Sequence, residues 1–491
     1  MAPHDGWREL SVREFAEVIG GTTPPTSNSL YFGGDIPWLT PKDLSNFQGR
    51  YIARGERNLT REGVEAAGLR ILPSGTVLLS TRAPIGYVAI ARNPVTTNQG
   101  FRSLIVKPGF EPEFIYYLLK RDTGRLKAFS SGTTFGELSG STLGGLRFSI
   151  PPLAEQRAIA RVLGSLDDEI VSRTGESKGL RRIFDLLMRH LLDGSWSVHE
   201  GESWLREVRP LVQAYDDKIE LNRRMNQTLE EICRALFKFW FVDFGPVRAK
   251  AERRWKKGES LPGMPADMWD LWPSKFEDSE IGEIPRGWSL VTLGDALSTL
   301  ESGSRPTGGA SESSDGGVPS VGAENVLGLG RYDYSKTKYV SHDFYAAMPR
   351  GKLLRGDVLL YKDGAQIGRR SYFDEGYPFD ECCINEHVFI LRAHPPFSQR
   401  FLYFWLDQSW IEEEIASRNS GSAQPGLNQP AVLGLPILKP TEQIVRAFDS
   451  QIAPLTKLVF RAELESRTLG QTRDALLPKL LSGEIRNKGD T

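Results

Sequence analysis

The chain contains an internal repeat, and this repeat constrains its fold more than any other feature. Gly6-Trp7 recurs as Gly287-Trp288, 281 residues later. Five further anchors recur in the same order at separations of 282 to 289: Ile85-Gly86 as Ile367-Gly368, Asn98-Gln99 as Asn385-Glu386, Gly132 as Gly421, Glu155-Gln156 as Glu442-Gln443, and Gly194 as Gly483. A constant order at nearly constant spacing indicates a tandem duplication. We therefore predict two copies of one structural unit.

Each copy divides into a globular part and a helical part. Residues 6–150 and 287–436 are rich in Gly, Pro and Ser and contain short β-like runs such as TVLLS and DVLLY, which predict a mixed α/β domain. The segments that follow place apolar residues at alternating spacings of three and four, as at Ile159, Leu163, Leu166 and Ile170. That spacing is typical of long helices that pair with other helices.

The predicted fold class is therefore α+β, with two mixed α/β domains in a pseudo-two-fold arrangement joined by long antiparallel coiled-coil-like helices. The predicted bounds, in chain order, are a first globular domain (1–150), a first helix (151–194), a break (195–210), a second central helix (211–245), a linker (246–283), a second globular domain (284–438), a C-terminal helix (439–485) and a tail (486–491).

Composition excludes several classes of protein. Hydrophobic residues make up 40% and charged residues 25% of the chain, as in globular proteins, and no run approaches the roughly 20 apolar residues of a membrane span. We expect a cytoplasmic protein without membrane contact. The net charge is −1, so any affinity for nucleic acid has to come from local clusters.

Catalytic motifs are missing from the sequence. It has no G-x-x-x-x-G-K-[ST] phosphate loop, no H-E-x-x-H metal motif, and no Asn-Pro-Pro-aromatic or Asp-Pro-Pro-aromatic tetrapeptide of the adenine methyltransferases. We therefore expect a non-catalytic chain that holds no metal and no cofactor of its own.

Four stretches carry a family resemblance: IPPLAEQRAIARVLGSLDDEI, YDDKIELNRRMNQTLEEICRALFKFWFVDF, SEIGEIPRGWSLVTLGD and GSAQPGLNQPAVLGLPI. They resemble the specificity subunit of Type I restriction-modification systems. The resemblance implies that each globular domain is a target-recognition domain, which reads one half of an interrupted, asymmetric sequence in double-stranded DNA. It also implies that the helices set the spacing and bind two methyltransferase subunits, to which motor-nuclease subunits are added. S-adenosylmethionine, ATP and Mg are then expected in the partner subunits.

An alternative interpretation keeps the helical scaffold and makes the chain an adaptor whose globular domains bind protein instead of DNA. Salt dependence separates the two, because a surface that neutralises several phosphates loses affinity steeply as salt rises.

The chain departs from the family pattern between its two Asp-Asp pairs, at Asp167 and Asp216. A single helix normally follows the Pro-Pro-Leu-x-Glu-Gln start. Here the glycines at 194 and 201 predict a turn. We predict two separate helices, one ending near Leu192 and one running from about Leu211 to Phe241 with an apolar seam at Met225, Leu229, Ile232, Leu236 and Phe239.

Polar residues in the Gly-rich loops of the two domains are the candidates for reading bases, because Arg, Lys, Asn and Gln most often contact base edges. In the first domain they are Thr22, Thr23, Lys42, Arg82, Asn98, Gln99, Thr133 and Thr134; in the second they are Ser304, Arg305, Lys362, Gln366, Asn385, Gln424 and Asn428. The alternative for each is a turn or capping role.

Aromatic residues are crowded at the end of the second central helix, at Phe237, Phe239, Trp240, Phe241 and Phe244. They are more than one narrow seam can cover, which predicts a docking patch for a methyltransferase subunit. The alternative is that they pack against the second globular domain.

Overall fold

A computed structural model describes residues 6–82, 84–129, 137–172, 178–312, 316–364, 366–374, 376–418 and 426–481. The chain divides into two compact units. Unit 1 contains residues 1–216 and 472–491, and unit 2 contains residues 217–471. Within the described residues, no helix is both long enough and apolar enough to span a bilayer.

Unit 1 is a mixed α/β domain packed on helices. Its elements are β1 (Arg8–Ser11), α1 (Val12–Phe15), β2 (Ala16–Gly20), β3 (Phe32–Leu39), α2 (Pro41–Leu44), β4 (Tyr51–Ile52), β5 (Arg57–Leu59), α3 (Arg61–Ala66), β6 (Val77–Leu79), β7 (Val88–Ala91), β8 (Thr96–Thr97), β9 (Arg102–Val106), α4 (Pro112–Arg121), α5 (Thr123–Ala128), α6 (Gly140–Gly145), β10 (Arg147–Ile150), α7 (Leu153–Ser172) and α8 (Lys178–Leu192). They form a five-stranded sheet in the order β2-β9-β6-β7-β4, a three-stranded sheet β5-β3-β8 and the pair β1-β10.

A long helix, α9 (Val198–Phe241), starts in unit 1 and ends in unit 2. The elements of unit 2 that follow are α10 (Gly245–Ala251), β11 (Phe276–Ser279), β12 (Gly282–Pro285), β13 (Ser289–Thr292), α11 (Leu293–Ala296), β14 (Leu297–Ser302), β15 (Val318–Val321), β16 (Gly328–Leu329), β17 (Lys338–Val340), α12 (His342–Ala347), β18 (Val358–Tyr361), β19 (Arg370–Tyr372), β20 (Cys383–Ile384), β21 (Val388–Ala393), α13 (Gln399–Leu406), α14 (Ser409–Ser417), α15 (Gln429–Leu433), β22 (Pro436–Lys439) and α16 (Glu442–Leu481).

The sheets of unit 2 repeat those of unit 1 strand by strand. The five-stranded order is β14-β21-β18-β19-β16, the three-stranded order is β17-β15-β20, and β13 pairs with β22. Strand directions also match, since β4 is parallel to β7 as β16 is to β19, and β3 is parallel to β8 as β15 is to β20. Each unit thus holds one copy of the duplicated fold, and the predicted mixed α/β class with long helices is confirmed.

Local sequence explains how each copy begins. In unit 1 the Ser11 hydroxyl and backbone N–H both donate to Glu14 Oε2, and in unit 2 Thr292 does the same with Asp295. Such capping boxes satisfy backbone groups at the first turn of a short helix. Each copy also contains a helix that is buried along most of its length, α4 in unit 1 and α13 in unit 2, as expected for a helix in the middle of a core.

The segment predicted as one helix over 151–194 is two helices, α7 and α8. The Tyr117 hydroxyl donates to Asp167 Oδ2 of α7 (3.3 Å), and the Tyr117 ring lies 5.8 Å from the ring of Phe184 in α8. In one continuous helix, residues 167 and 184 would be about 25 Å apart. Both helices therefore pack on the same residue of α4, and the prediction of a single spacer helix was wrong. Apolar spacing of three and four suits a helix hairpin as well as a straight seam.

The predicted break at 195–210 is shorter than expected. The structure ends α8 at Leu192, and α9 begins at Val198 rather than near Leu211. The Ser197 backbone N–H and hydroxyl donate to Glu200 Oε2 (2.7 and 2.8 Å), and the Glu200 N–H donates back to Ser197 Oγ (3.2 Å). This Ser-x-x-Glu capping box starts the helix. Pro210 lies inside α9 and does not end it.

The segment predicted as a linker over 246–283 is part of the folded core of unit 2. Val247, Trp255, Met264 and Trp272 are all buried there. The Lys250 ammonium donates to the carbonyl of Trp269 (2.8 Å), and burial lowers its pKa. Tryptophan side chains distributed through this basic stretch anchor it, so the linker prediction was wrong.

The buried face of α9 in unit 2 also differs from the predicted seam. The buried residues are Asn222, Asn226, Glu230, Cys233, Phe237, Trp240 and Phe241. This face packs antiparallel to α16, because Asn222 donates to Glu465 (2.8 Å) while the Phe237 ring lies 5.5 Å from that of Phe448.

Three apolar residues of α9 face outward instead. Leu221, Met225 and Ile232 are 59%, 38% and 42% exposed. The predicted seam was therefore wrong at Met225 and Ile232, where the apolar pattern marks the outer face of the helix. We call Leu221, Met225 and Ile232 the outer stripe of α9.

Candidate nucleic-acid interface

In unit 1, the loops after β2 and β8 are held against each other. The Thr22 N–H donates to the Thr97 carbonyl (3.0 Å), and the Thr23 hydroxyl is hydrogen-bonded to the Gln99 side chain. A Cβ at Gly21 would lie 2.2 Å from the Thr97 oxygen, so only glycine permits this approach. The structure thus brings together the predicted residues Thr22, Thr23, Asn98 and Gln99.

The loop after β6 joins the same edge of the domain and carries Arg82. The Thr81 N–H donates to the Gly100 carbonyl (2.7 Å), which ties this loop to the one after β8. Arg82 Nη2 donates to Glu137 Oε2 (2.6 Å), and Arg102 Nη2 donates to Glu137 Oε1 (2.9 Å). The hydrogen bond from Arg82, with the charges of both guanidinium groups, holds the pKa of Glu137 below its usual range. Glu137 is therefore an anion that orients two arginines.

Lys42 lies on α2 beside this edge. A Cβ at Gly100 would lie 2.7 Å from Pro41 Cγ, so α2 packs against the loop that carries Asn98 and Gln99. The Lys42 ammonium is mostly exposed and bonds Glu56 Oε2 at 2.9 Å. An exposed ion pair of this kind is weak, so Lys42 can exchange Glu56 for another anion.

Unit 2 builds the same edge from the equivalent loops. A Cβ at Gly303 would lie 1.8 Å from the Ile384 carbonyl, so Gly303 has the role of Gly21 and positions the following Ser304 and Arg305. Arg305 Nη1 lies 3.6 Å from Glu386 Oε1. The Lys362 N–H donates to the His387 carbonyl (3.1 Å), which joins the loop after β18 to the loop after β20.

The residue that corresponds to Arg82 is Asp363 and not Lys362. The Leu138 N–H donates to the Thr81 carbonyl (3.1 Å), and the Leu427 N–H donates to the Lys362 carbonyl (2.8 Å). Thr81 and Lys362 are thus equivalent positions, and the residue after each is Arg82 or Asp363. Lys362 was the predicted residue of this loop, and its neighbour Asp363 was missed.

An acidic and histidine cluster in unit 2 was missed by sequence reasoning. Asp363 Oδ2 lies 2.9 Å from His387 Nδ1, and Glu386 Oε1 lies 3.4 Å from His387 Nε2. In unit 1, Arg102 and Glu137 were missed as well. Each of these five residues is a neighbour, in sequence or in space, of a predicted residue. Carboxylates were not among the predicted residues, because side chains that donate hydrogen bonds are the usual contacts to DNA.

Three predicted residues have turn or capping roles. The Asn98 side-chain oxygen accepts from the Gly100 N–H (2.9 Å), and that of Asn385 accepts from the His387 N–H (3.0 Å). Asn428 caps α15 by accepting from the Ala431 N–H (2.8 Å). Gln366 is exposed in the loop after β18. The remaining predicted residues lie outside the described ones: Thr133, Thr134 and Gln424.

The predicted docking patch of aromatic residues is core. Phe237, Trp240 and Phe241 are completely or almost completely buried, Phe244 is also buried, and Phe239 is partly buried against the same cluster. The Phe237 ring lies 5.5 Å from that of Phe401. The docking prediction was therefore wrong, and the alternative, packing within the second domain, is what the structure shows.

The described residues of each loop edge present hydrogen-bonding groups. The polar side chains are mixed donors and acceptors on loops that a sheet holds in place. Among the described residues there is no group of three or more His, Cys, Asp or Glu side chains able to hold a metal ion. An edge of this kind is suited to recognition by hydrogen bonding.

Sequence comparisons place the chain in one family. The family model for the Type I restriction modification DNA specificity domain matches residues 4–180. The Type I restriction enzyme MjaIX specificity subunit of Methanocaldococcus jannaschii is 32% identical over 98% of this chain and 94% of its own length. The HindI specificity subunit of Haemophilus influenzae is 24% identical over 57% of this chain and 67% of its own. The crystal structure of the Type I restriction-modification S subunit from M. genitalium has a TM-score of 0.40 at 15% identity, covering 98% of this chain and 99% of that one.

The two sheet domains with their loop edges and long helices define a recognition subunit. The chain belongs to the specificity subunits of Type I restriction-modification systems, and its function is DNA target recognition.

Proposed function

We propose that each unit reads one half of an interrupted DNA target through its loop edge. The observation that carries this proposal is that two equivalent edges share a backbone frame but not their polar side chains. Gly21 and Gly303 make the same close approach, while Arg82 in one unit stands where Asp363 stands in the other. Two edges with the same backbone and different polar side chains are suited to two half-sites of different sequence.

Phosphate contacts in unit 1 are assigned to basic side chains at the domain surface. Arg102, at the start of β9 next to the loop edge, lines an open groove of about 470 Å³ whose far end carries Arg13 and Lys107. Lys42 on α2 is a further exposed cation. Such contacts fix the register of a duplex without reading its sequence.

The direct test is selection of duplexes from a randomised pool by the full-length chain together with its methyltransferase subunits. The proposal predicts two specified blocks separated by an unspecified gap, and affinity that falls steeply between about 50 and 200 mM salt. Selection of one continuous block, or binding without sequence preference, would contradict it.

We also propose that the outer stripe of α9 docks a helix of a methyltransferase subunit. Leu221, Met225 and Ile232 recur at spacings of four and seven on one face, which is the pattern a partner helix fits. The chain acts as a non-catalytic scaffold for two such subunits and for motor-nuclease subunits. Binding of S-adenosylmethionine, ATP and Mg then belongs to those partners.

Charged substitutions separate this docking role from a structural one. The variant Leu221→Asp/Met225→Asp/Ile232→Asp is expected to fold, because these side chains are exposed, and to lose co-purification with the methyltransferase subunit. Gln227→Asp, an exposed residue elsewhere on the same helix, is the matched control and is expected to keep the partner. Retention of the partner by a folded triple variant would overturn the docking assignment.

A further inference from the structure

The position occupied by Arg82 in unit 1 and Asp363 in unit 2 lies in the same closed loop of the duplicated fold. In unit 1, the Gly86 N–H donates to the Ser80 carbonyl (3.0 Å) and closes the loop after β6. In unit 2, the Gly368 N–H donates to the Tyr361 carbonyl at the same distance. Both glycines have a positive φ, 101° and 87°, which such a closure requires.

The charge at this position is inverted between the units. A guanidinium is a pure donor with five N–H groups, and a carboxylate is a pure acceptor. Arg82 is 48% exposed, and Asp363 is also partly exposed. Each therefore presents the opposite half of a hydrogen-bond pair at the same place in the fold.

The residue beside this position also differs between the units, and the difference suits the charge of Arg82 or Asp363. Glu137 precedes Leu138 and bonds Arg82, whereas the equivalent residue before Leu427 is Gly426. A Cβ at Gly426 would lie 3.3 Å from Asp363 Oδ1. Glycine places no side chain against this oxygen, and a glutamate there would place a second negative charge beside it. Arg82 with Glu137 and Asp363 with Gly426 are thus coupled pairs.

Arg82 and Asp363 are each held in place by a second side chain. Glu137, itself bonded to Arg102, fixes Arg82, and the contact uses only Nη2 of the guanidinium. His387 Nδ1 lies 2.9 Å from Asp363 Oδ2 and fixes the carboxylate. A reader oriented before binding loses less conformational entropy when it contacts a base.

We infer that this loop position distinguishes the two half-sites: Arg82 selects a guanine, and Asp363 selects a base that presents an exocyclic amino group, cytosine. Arginine bonds guanine O6 and N7 in the major groove, and carboxylates accept from cytosine N4. This inference rests on the proposed function and names the readers within it.

The test compares the DNA motifs that wild-type and variant full-length chains select, each chain together with its methyltransferase subunits. Arg82→Gln is expected to lower discrimination at one base pair of the first block by about 5- to 150-fold, the range of one good base contact. Asp363→Asn is expected to change one base pair of the second block from cytosine to adenine, because asparagine pairs with adenine N6 and N7. Asp363→Arg/Gly426→Glu, which transfers the pair of unit 1, is expected to select guanine at that base pair.

The chain offers matched controls. Arg70 is 51% exposed and bonds Glu17 at 2.6 Å, the same distance as Arg82 to Glu137, so Arg70→Gln removes a similar ion pair without touching the edge. Asp270→Asn removes the exposed pair with Lys257 in unit 2. Both are expected to leave the motif unchanged.

The outcomes are distinguishable. If folded Arg82 and Asp363 variants select the wild-type motif, or weaken all sequences equally as a phosphate contact would, the inference is wrong while the proposed function stands. Adenine rather than cytosine at the wild-type position read by Asp363 would likewise overturn the cytosine assignment. If the wild-type complex itself selects no two-block target, the proposed function fails with it.

Discussion

Truncation of Phe237 tests whether the aromatic end of α9 is core or a partner surface. The Phe237 side chain is completely buried, and its ring lies 5.1 Å from that of Phe241, 5.5 Å from those of Phe401 and Phe448, and 6.0 Å from that of Phe404. Removing a buried phenyl ring costs about 3–5 kcal/mol. Because four aromatic rings surround it and collapse into the space is restricted, we expect a cost near the upper end.

The assay is thermal unfolding of the full chain followed by a probe of unit 2, such as amide hydrogen exchange at residues 442–470 of α16. For a unit of this size, 1 kcal/mol lowers the midpoint by about 2–4 °C, so Phe237→Ala should lower it by roughly 10 °C or more. Leu221→Ala, on the exposed outer stripe of the same helix, is the control and should change the free energy of unfolding by no more than about 0.5 kcal/mol. A Phe237→Ala protein of unchanged stability that fails to bind the methyltransferase subunit would refute the core assignment.

Three further substitutions test other parts of the structure. Ser197→Ala removes the capping box of α9 and should destabilise unit 1 by about 1 kcal/mol, with faster amide exchange at residues 198–201; unchanged exchange would contradict the assignment. Asn226→Leu should stabilise unit 2 by about 1 kcal/mol, because within the described structure both polar atoms of the buried Asn226 side chain lack a hydrogen-bond partner; a loss in denaturant midpoint would show that they are satisfied. Burial raises the pKa of Glu463 to about 7 from an ordinary value of 4.5, so the folded state binds this proton more tightly than the unfolded state, and the stabilising contribution is complete below about pH 4.5 and lost as pH rises through 7. Glu463→Gln should therefore remove a fall in the unfolding midpoint between those pH values, and an unchanged pH profile would contradict the burial of this carboxyl.

The sequence predicted the duplication, the mixed α/β class and most of the loop edges. These features depend on order, spacing and turn residues, which the chain displays directly. The loops that carry Thr22, Arg82 and Asn98 follow strands of two different sheets, and backbone hydrogen bonds from Thr22 to Thr97 and from Thr81 to Gly100 hold them together.

Other features depend on packing that no period in the sequence reveals. The spacing of apolar residues around Leu163 and Leu187 fits both a straight helix and the hairpin of α7 and α8. The buried face of α9 carries the polar residues Asn222, Asn226 and Glu230. A seam predicted from apolar residues therefore included Met225 and Ile232 of the outer stripe instead. The Ser197 capping box was readable from the sequence, but the glycines around it suggested a longer break.

Asp363, Glu386 and Glu137 were missed for a chemical reason. DNA is an anion and Arg, Lys, Asn and Gln most often contact base edges, so the predicted residues included Lys362 but not its neighbour Asp363. The hydrogen bonds that place Asp363 at the position of Arg82 are backbone bonds, which the pattern of side chains in the sequence does not show.

Exchange of one globular domain shows whether each unit reads its own half-site. Residues 1–150 are replaced by the corresponding region of a relative with a different target, and the methylated positions of a host genome are sequenced with the chimera and its methyltransferase subunits in place. We expect a motif in which one half-site changes while the other half-site stays the same. A change in both half-sites, or in neither, would contradict this expectation.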